Sequence, residues 1–173
     1  MGEEGPPGFA DFVRSRYAAL ARSAFLLTGD RGHAEDLVQA ALIATLRGWS
    51  RLAATEAAES YARTTMVRLA QRSAKRRWRQ EIPSDLSRDR FRDLPDADAA
   101  VEAVATRVDV RAVLAALPWE QRAVLVLRFF DDLSEREVAA ILGCSEGTVK
   151  SRTSRALDKL RTSGLVQTEV HRG

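Results

Sequence analysis

The sequence predicts an all-α protein made of two small helical modules. Apolar residues recur at steps of three and four along most of the chain, which is the spacing of one face of an α-helix. No alternating strand pattern of useful length and no internal repeat occurs. The 173 residues, 45% of them hydrophobic, suffice for one or two small cores. We expect modules at residues 1–83 and 99–173, joined by a flexible polar linker at residues 84–98.

Three helices are predicted in the first module. The first begins around Phe9 and ends at the breaker around Gly29, and the second keeps its apolar spacing as far as Trp49. The third begins near Glu56 and ends before Pro83. The apolar stripe of the second helix is expected to comprise Ala34, Leu37, Val38, Ala41, Leu42, Thr45, Leu46 and Trp49.

Charge is segregated around the end of the third helix. The whole chain carries 27 Lys and Arg against 24 Asp and Glu, and this net charge of +3 does not by itself indicate nucleic acid. Residues 61–80, however, contain many basic residues and no acid, whereas acids outnumber bases in residues 81–109. An acid-free basic run favours nucleic-acid contact over a helix kept soluble by charge. Tyr61 and Trp78 are candidates to stack on bases, although aromatics at helical spacing are more often core residues.

Composition argues against several other classes of protein. A single cysteine rules out an internal disulfide, and with only two histidines the usual zinc sites are not expected. The longest apolar run, residues 123–127, is too short to span a bilayer, and residues 1–8 lack the pattern of a signal peptide. We expect a soluble, cytoplasmic protein without metal or cofactor.

The second module is predicted to begin with two helices. The first ends near Leu117, and Pro118 is placed to be the first residue of the next, which carries apolar residues as far as Phe130. Residues 134–137, Ser-Glu-Arg-Glu, have the spacing of a capping box, with Leu133 placed to pack on Val138. A further helix is therefore expected from residue 135.

Residues 133–161 have the pattern of a helix-turn-helix. Gly143 is placed to end the first helix and Ser145 to cap the second. One side of the second helix is expected to be apolar, and the other polar and basic. Because residues 148–157 contain no acid, DNA contact is favoured over a plain hairpin with a solvated face. The candidate DNA-contacting residues are Thr148, Lys150, Ser151, Arg152, Ser154 and Arg155.

The same turn contains the hydrolase-like pattern G-x-S-x-G at residues 143–147. That pattern requires a preceding strand and a histidine base, whereas here a capped helix precedes it and His171 lies in the tail. We expect Ser145 to be a cap and Cys144 a turn residue. No enzymatic activity is predicted.

These motifs together resemble the extracytoplasmic-function sigma factors of bacterial RNA polymerase. Residues 115–161, with EGTVKSRTSRAL as the best-matching stretch, resemble region four of that family. GDRGHAEDLVQAALIATLRGW resembles regions 2.1 and 2.2, and residues 61–83, which end in RRWRQEIP, resemble regions 2.3 and 2.4. The short form with RRWR is similar to the actinobacterial sigma-E-like group.

The resemblance implies a transcription initiation factor that binds core RNA polymerase and promoter DNA. Region two would dock on the clamp of the largest subunit through Glu35, Asp36 and Gln39 and open the minus-10 element, and region four would read the minus-35 element beneath the flap. The residues implied in minus-10 contact are Tyr61, Arg68, Arg72, Lys75, Arg76 and Arg79. An anti-sigma factor is a further implied partner. Many members carry Asn where Arg68 stands, so the pocket for a flipped base is expected to differ.

Two alternatives remain open from the residues alone. A free-standing regulator could use the same helix-turn-helix to bind operators as a dimer, with the first module sensing a ligand or dimerising. The three polar residues of the second helix, Glu35, Asp36 and Gln39, also fit an ordinary solvated face.

Overall fold

The computed structural model describes residues 5–52, 55–80 and 110–163, which are helical apart from short turns and contain no strand. The all-α prediction is therefore confirmed. The helices are α1 (Phe9–Thr28), α2 (Arg31–Gly48), α3 (Thr55–Gln80), α4 (Val110–Ala115), α5 (Trp119–Leu125), α6 (Glu135–Leu142) and α7 (Glu146–Thr162). The chain divides into two units, residues 1–81 and 82–173. The predicted linker at residues 84–98 lies outside the described residues.

The first unit is built from α1, α2 and α3, and its turns follow the predicted signals. Gly29 ends α1 in the left-handed conformation with φ 68°, and its N–H donates to the carbonyl of Phe25 over 2.7 Å. Asp30 then caps α2, because its carboxylate accepts a hydrogen bond from the N–H of His33 over 2.7 Å. Since these bonds satisfy main-chain groups at both helix ends, the direction of the chain between α1 and α2 is set locally.

Trp49, in a 3-10 turn (Trp49–Arg51) that follows α2, contacts the residues that lead into α1. Its indole N–H donates to the carbonyl of Pro7 over 3.1 Å, and its ring lies edge-on to Phe9 with centroids 5.2 Å apart. About two turns farther along α1, Arg16 forms an ion pair with Glu59 of α3 at 2.9 Å, and Glu59 also pairs with Arg63 at 2.7 Å. The three helices are thus tied together at two places around a core of small and aliphatic side chains.

The second unit contains a half-buried cation that joins two of its helices. The guanidinium of Arg122, on α5, donates to the carbonyls of Leu114 and Leu117 over 2.8 and 3.0 Å, at and just beyond the end of α4. Burial lowers the pKa of Arg122, because it disfavours the charged form. Carbonyls at a helix C-terminus are nonetheless good partners for a cation. Arg122 therefore ties the end of α4 to α5.

Two details of this unit differ from the sequence prediction. Pro118 is the residue before the first turn of α5, with ψ 148°, rather than its first helical residue. Its carbonyl accepts hydrogen bonds from the N–H groups of Gln121 and Arg122. Proline has no N–H, and this lack does not destabilise the helix here, because an N–H at the start of a helix has no partner within the helix. Second, α5 continues as a π-helical turn, Val126–Phe130. Phe130 is exposed, whereas its spacing predicted a buried position. A π turn holds more residues than an α turn, so the residues toward its end, Phe130 among them, are rotated away from the α-helical face.

Candidate nucleic-acid interface

Two caps and a glycine turn define the helix-turn-helix, as the sequence predicted. The hydroxyl of Ser134 accepts from the N–H of Glu137 over 3.2 Å, and the carboxylate of Glu137 accepts from the N–H of Ser134 over 2.7 Å, which completes a capping box on α6. Gly143 ends α6 with φ 68°, and Ser145 caps α7 by accepting from the N–H of Thr148 over 3.1 Å. Local hydrogen bonds therefore fix where both helices begin and where the first one ends.

Helix α7 has a buried face and a polar face. Val149, Ala156 and Leu160 are buried, as predicted, and hold α7 against the rest of the unit. The predicted candidates on the other side are exposed, and they are Lys150, Ser151, Ser154 and Arg155. The structure thus brings four of the six candidates to one accessible surface, which we call the α7 polar face.

The other two candidates, Thr148 and Arg152, contact residues of the protein itself. Thr148 is half-buried, and its hydroxyl lies 2.9 Å from that of Ser145, so it takes part in the cap of α7. Arg152 is also half-buried, with a side chain 21% exposed, and forms an ion pair with Glu120 of α5 at 2.9 Å. At about 100° per residue, Arg152 lies about 60° from the centre of the buried stripe, toward α5.

Lys150 also has a carboxylate partner, but in an open setting. Its ammonium lies 3.6 Å from Glu135 in the first turn of α6, and its side chain is 65% exposed. Arg155, by contrast, makes no ion pair with any residue that the structure describes. The three basic candidates on α7, Lys150, Arg152 and Arg155, therefore differ in their ion pairing within the described residues.

The predicted minus-10 residues share one face of α3. At about 100° per residue, five of the six fall within about 60° of arc, along about 27 Å of helix. These five, which we call the α3 basic stripe, are Tyr61, Arg68, Arg72, Lys75 and Arg79, and all are exposed. The sixth, Arg76, is exposed beside the stripe. The buried residues of α3 include Ala62, Met66 and Ala70 on the opposite side.

The two aromatic residues of α3 are both accessible. Tyr61 is 43% exposed and Trp78 is 81% exposed, so neither takes the core position that is the commoner alternative for an aromatic at this spacing. The neighbouring Arg77 is directed elsewhere, since its guanidinium lies 3.0 Å from Nδ1 of His33 at the start of α2. Stacking of Tyr61 or Trp78 on bases stays a prediction.

The exposed side of α2 carries the predicted polymerase-contact residues together with two apolar ones. Glu35, Asp36 and Gln39 are exposed, and Glu35 pairs with Arg31 at 3.0 Å. Ile43 and Leu46 are 51% and 38% exposed on the same side. The sequence assigned Leu46 to the apolar stripe and did not single out Ile43. Ile43 could have been recognised from the sequence as an exposed apolar residue, because it falls outside that stripe.

The remaining sequence predictions concern chemistry and membranes. Ser145 follows a helix and serves as a cap, which fits none of the geometry of a hydrolase nucleophile. Cys144 is a half-buried free thiol. Within residues 5–52, 55–80 and 110–163, no group of three His, Cys, Asp or Glu side chains is arranged to hold a metal ion. In the same ranges, no helix has the length and apolar character needed to cross a membrane.

Both units match family models of sigma-70 proteins. The model described as Sigma-70 region 2 matches residues 12–80, and the model described as Sigma-70, region 4 matches residues 107–160. The first match covers most of the first unit, with α2 and α3, and the second covers the helix-turn-helix.

Similarity to individual proteins extends over most of the chain. The RNA polymerase sigma-E factor of Streptomyces avermitilis is 39% identical over 155 residues, which are 88% of this chain and 83% of that protein. The ECF RNA polymerase sigma factor SigE of Mycolicibacterium smegmatis is 32% identical over 158 residues, 90% of this chain and 61% of that protein. The sigma factor RpoE in its complex with the anti-sigma factor NepR from Bartonella quintana has a similar fold. The TM-score is 0.63 with 25% identity, over 88% of this chain and 95% of RpoE.

Proposed function

Since this chain belongs to the extracytoplasmic-function sigma factors of RNA polymerase and directs promoter-specific transcription, we propose how its two units divide that task. The α7 polar face reads the minus-35 element, and the α3 basic stripe binds the minus-10 element. The exposed side of α2 docks on the clamp of the largest polymerase subunit. The protein acts in the cytoplasm and performs no chemistry of its own.

The observation that carries the minus-35 assignment is the composition of the α7 polar face. A single α-helix fits the major groove of B-DNA, and its N-terminal half presents side chains to base edges. On α7 that half carries Lys150, Ser151 and Ser154, and Arg155 follows directly after it on the same face. Arginine and lysine donate to guanine, and serine bonds to several bases or to phosphate. We assign base reading to this surface.

Arg152 is given a different role from the other candidates. Its ion pair with Glu120 is half-buried, and it faces α5 rather than solvent. A guanidinium held in this way sets the angle of α7 on α5, so it positions the helix that reads DNA. We therefore treat Arg152 as a positioning residue.

The α3 basic stripe suits the backbone of DNA more than its bases. Its cations are spread over about 27 Å, which equals about eight nucleotide steps along one strand. Each cation that neutralises a phosphate releases a counterion, so binding through this surface depends strongly on salt. Tyr61 stands at one end of the stripe, where its exposed ring is available to an unpaired base.

The α2 surface suits a protein partner. At about 100° per residue, Glu35, Asp36, Gln39, Ile43 and Leu46 fall within about 100° of arc. Exposed apolar side chains ringed by polar ones are typical of protein interfaces. In the second unit, the exposed Phe129 and Phe130 are the corresponding apolar side chains, and we assign them to the polymerase flap. An anti-sigma factor is a further proposed partner, supported by the likeness to RpoE, which was solved with NepR.

Run-off transcription with purified actinobacterial core polymerase tests this proposal. A library of genomic promoter fragments is transcribed with core alone and with core plus this protein. Promoter-specific transcripts that require the protein are expected, and Ser151→Ala with Arg155→Ala should change which upstream sequences are enriched. If the protein binds operators tightly and produces no new transcripts with the core enzyme, it is a free-standing regulator and the proposal fails.

A further inference from the structure

We propose that Glu135 is an internal competitor of DNA for Lys150 and so limits the affinity of the α7 polar face. The inference rests on the proposed minus-35 role of that face.

The geometry brings Glu135 to the edge of the α7 polar face. The carboxylate oxygen Oε2 lies 3.6 Å from Nζ of Lys150, and the Glu135 side chain is 33% exposed. The first turn of α6 holds a second carboxylate, Glu137, but that group is bonded to the N–H of Ser134 in the capping box. Glu135 is not part of this capping box. Its described ionic partner is a residue that the DNA is expected to contact.

The position of Glu135 opposes DNA electrostatically. The first helix of a helix-turn-helix crosses the sugar-phosphate backbone, and a helix N-terminus normally attracts phosphate. The carboxylate of Glu135 in the first turn of α6 reverses that attraction. When Lys150 turns to a phosphate or a base, Glu135 also loses its ionic partner while remaining near the negative backbone. Binding therefore costs the ion pair and adds a repulsion.

The other two basic candidates for DNA contact on α7, Arg152 and Arg155, are held differently from Lys150. Arg155 makes no ion pair with the described residues, so it is available to DNA at no internal cost. Arg152 is held at 2.9 Å in a half-buried pair and faces α5. The pair of Lys150 with Glu135 is longer and more exposed, so it can open on binding.

The test is the binding of the full chain, assembled with core polymerase, to two labelled duplexes across a salt series. One duplex carries the upstream element enriched by the holoenzyme, and the other is an unrelated sequence of equal length. Glu135→Gln is expected to tighten binding to both by about two- to fivefold at low salt. The gain should shrink as the salt concentration rises, because it comes from the removal of an electrostatic competitor and of a negative charge near the DNA backbone.

The control is Asp11→Asn, which makes the same change in net charge on α1 of the first unit, where Asp11 pairs with Arg14. The gain from Glu135→Gln should also shrink by at least half in a Lys150→Ala background. Glu135→Ala serves as a second variant, and thermal melting checks that both variants fold.

The outcomes separate this inference from the proposed function. If the holoenzyme makes promoter-specific transcripts but Glu135→Gln binds no better than Asp11→Asn, the inference alone is overturned. Weaker binding by Glu135→Gln would also overturn it, because Glu135 would then orient Lys150 toward DNA. If no promoter-specific transcripts form, the proposed function itself fails, whatever the Glu135 variants do.

Discussion

Glu120 on α5 lies 2.9 Å from Arg152 on α7, and this pair joins the helix that presents the polar face to the helix beneath it. The Arg152 side chain is 21% exposed, whereas Glu120 is 52% exposed. One end of the contact is therefore sheltered and the other is in solvent. Such a pair contributes more to the placement of α7 than to overall stability.

Replacement of Arg152 and of Arg155 by alanine should have different consequences. Arg155→Ala is expected to weaken recognition of the upstream element by about 1 to 3 kcal/mol, because a base contact is lost. Arg152→Ala is expected to lower the melting temperature and to weaken binding to promoter and unrelated DNA by the same factor. Holoenzyme binding to both duplexes measures this. A selective loss of promoter binding in Arg152→Ala would show that Arg152 reads a base.

Arg122→Met should destabilise the second unit by about 2 to 4 kcal/mol. The substitution leaves the carbonyls of Leu114 and Leu117 without their cationic donor in a half-buried place. Urea unfolding of the full chain, followed by circular dichroism, measures the effect. Arg136→Ala on the exposed side of α6 is the matched control and should change stability by less than about 0.5 kcal/mol. Equal midpoints for the two variants would contradict the role given to Arg122.

Alanine at Gly143 and at Gly147 should shift stability in opposite directions. Gly143 has φ 68° and open space around its Cβ position, so Gly143→Ala costs about 1 to 2 kcal/mol through backbone strain alone. Gly147 lies within α7, and a Cβ there would meet only the hydroxyl oxygen of Ser145 at 3.8 Å. Gly147→Ala should therefore stabilise by about 0.4 to 1 kcal/mol. Thermal melting of both variants measures these changes. A shift of the melting temperature in the same direction for both variants would contradict the prediction.

Ile43→Ser should weaken the binding of core polymerase. An exposed apolar side chain in the middle of an interface contributes about 1 to 2 kcal/mol, which is about five- to thirtyfold in Kd. A fluorescence titration of labelled protein with core enzyme measures it. Tyr17→Ser removes another large exposed side chain, from α1, and should leave the Kd unchanged. Equal losses in both variants would argue against α2 as the docking surface.

Removal of two cations from the α3 basic stripe should change the salt dependence of promoter binding. In Arg72→Ala with Arg79→Ala, the slope of log K against log salt is expected to become shallower by about 1.4 to 1.8, which corresponds to two phosphate contacts on single- or double-stranded DNA. Arg14→Ala on α1 is the control. An unchanged slope would place the stripe away from the DNA backbone.

Much of the fold could be read from the sequence because its signals are local. The capping box of Ser134 and Glu137, the left-handed Gly143 and the cap at Ser145 each depend on residues within three or four positions. Hydrogen bonds at a helix end are decided by that same short range. The apolar spacing of α7 likewise predicted its buried face, since helical geometry alone sets which residues share a side.

The sequence by itself determined the order of the helices, the end of α6, the start of α7 and which side of α7 is polar, but only the tertiary structure decided which basic residues are held by the protein. Arg152 and Lys150 look alike in the sequence, yet one faces Glu120 on α5 and the other Glu135 on α6. Those partners are distant in sequence and meet only after packing. The helical pattern also could not predict that Trp78 is exposed. Periodicity shows which face of a helix a residue occupies, but it does not show whether another helix covers that face.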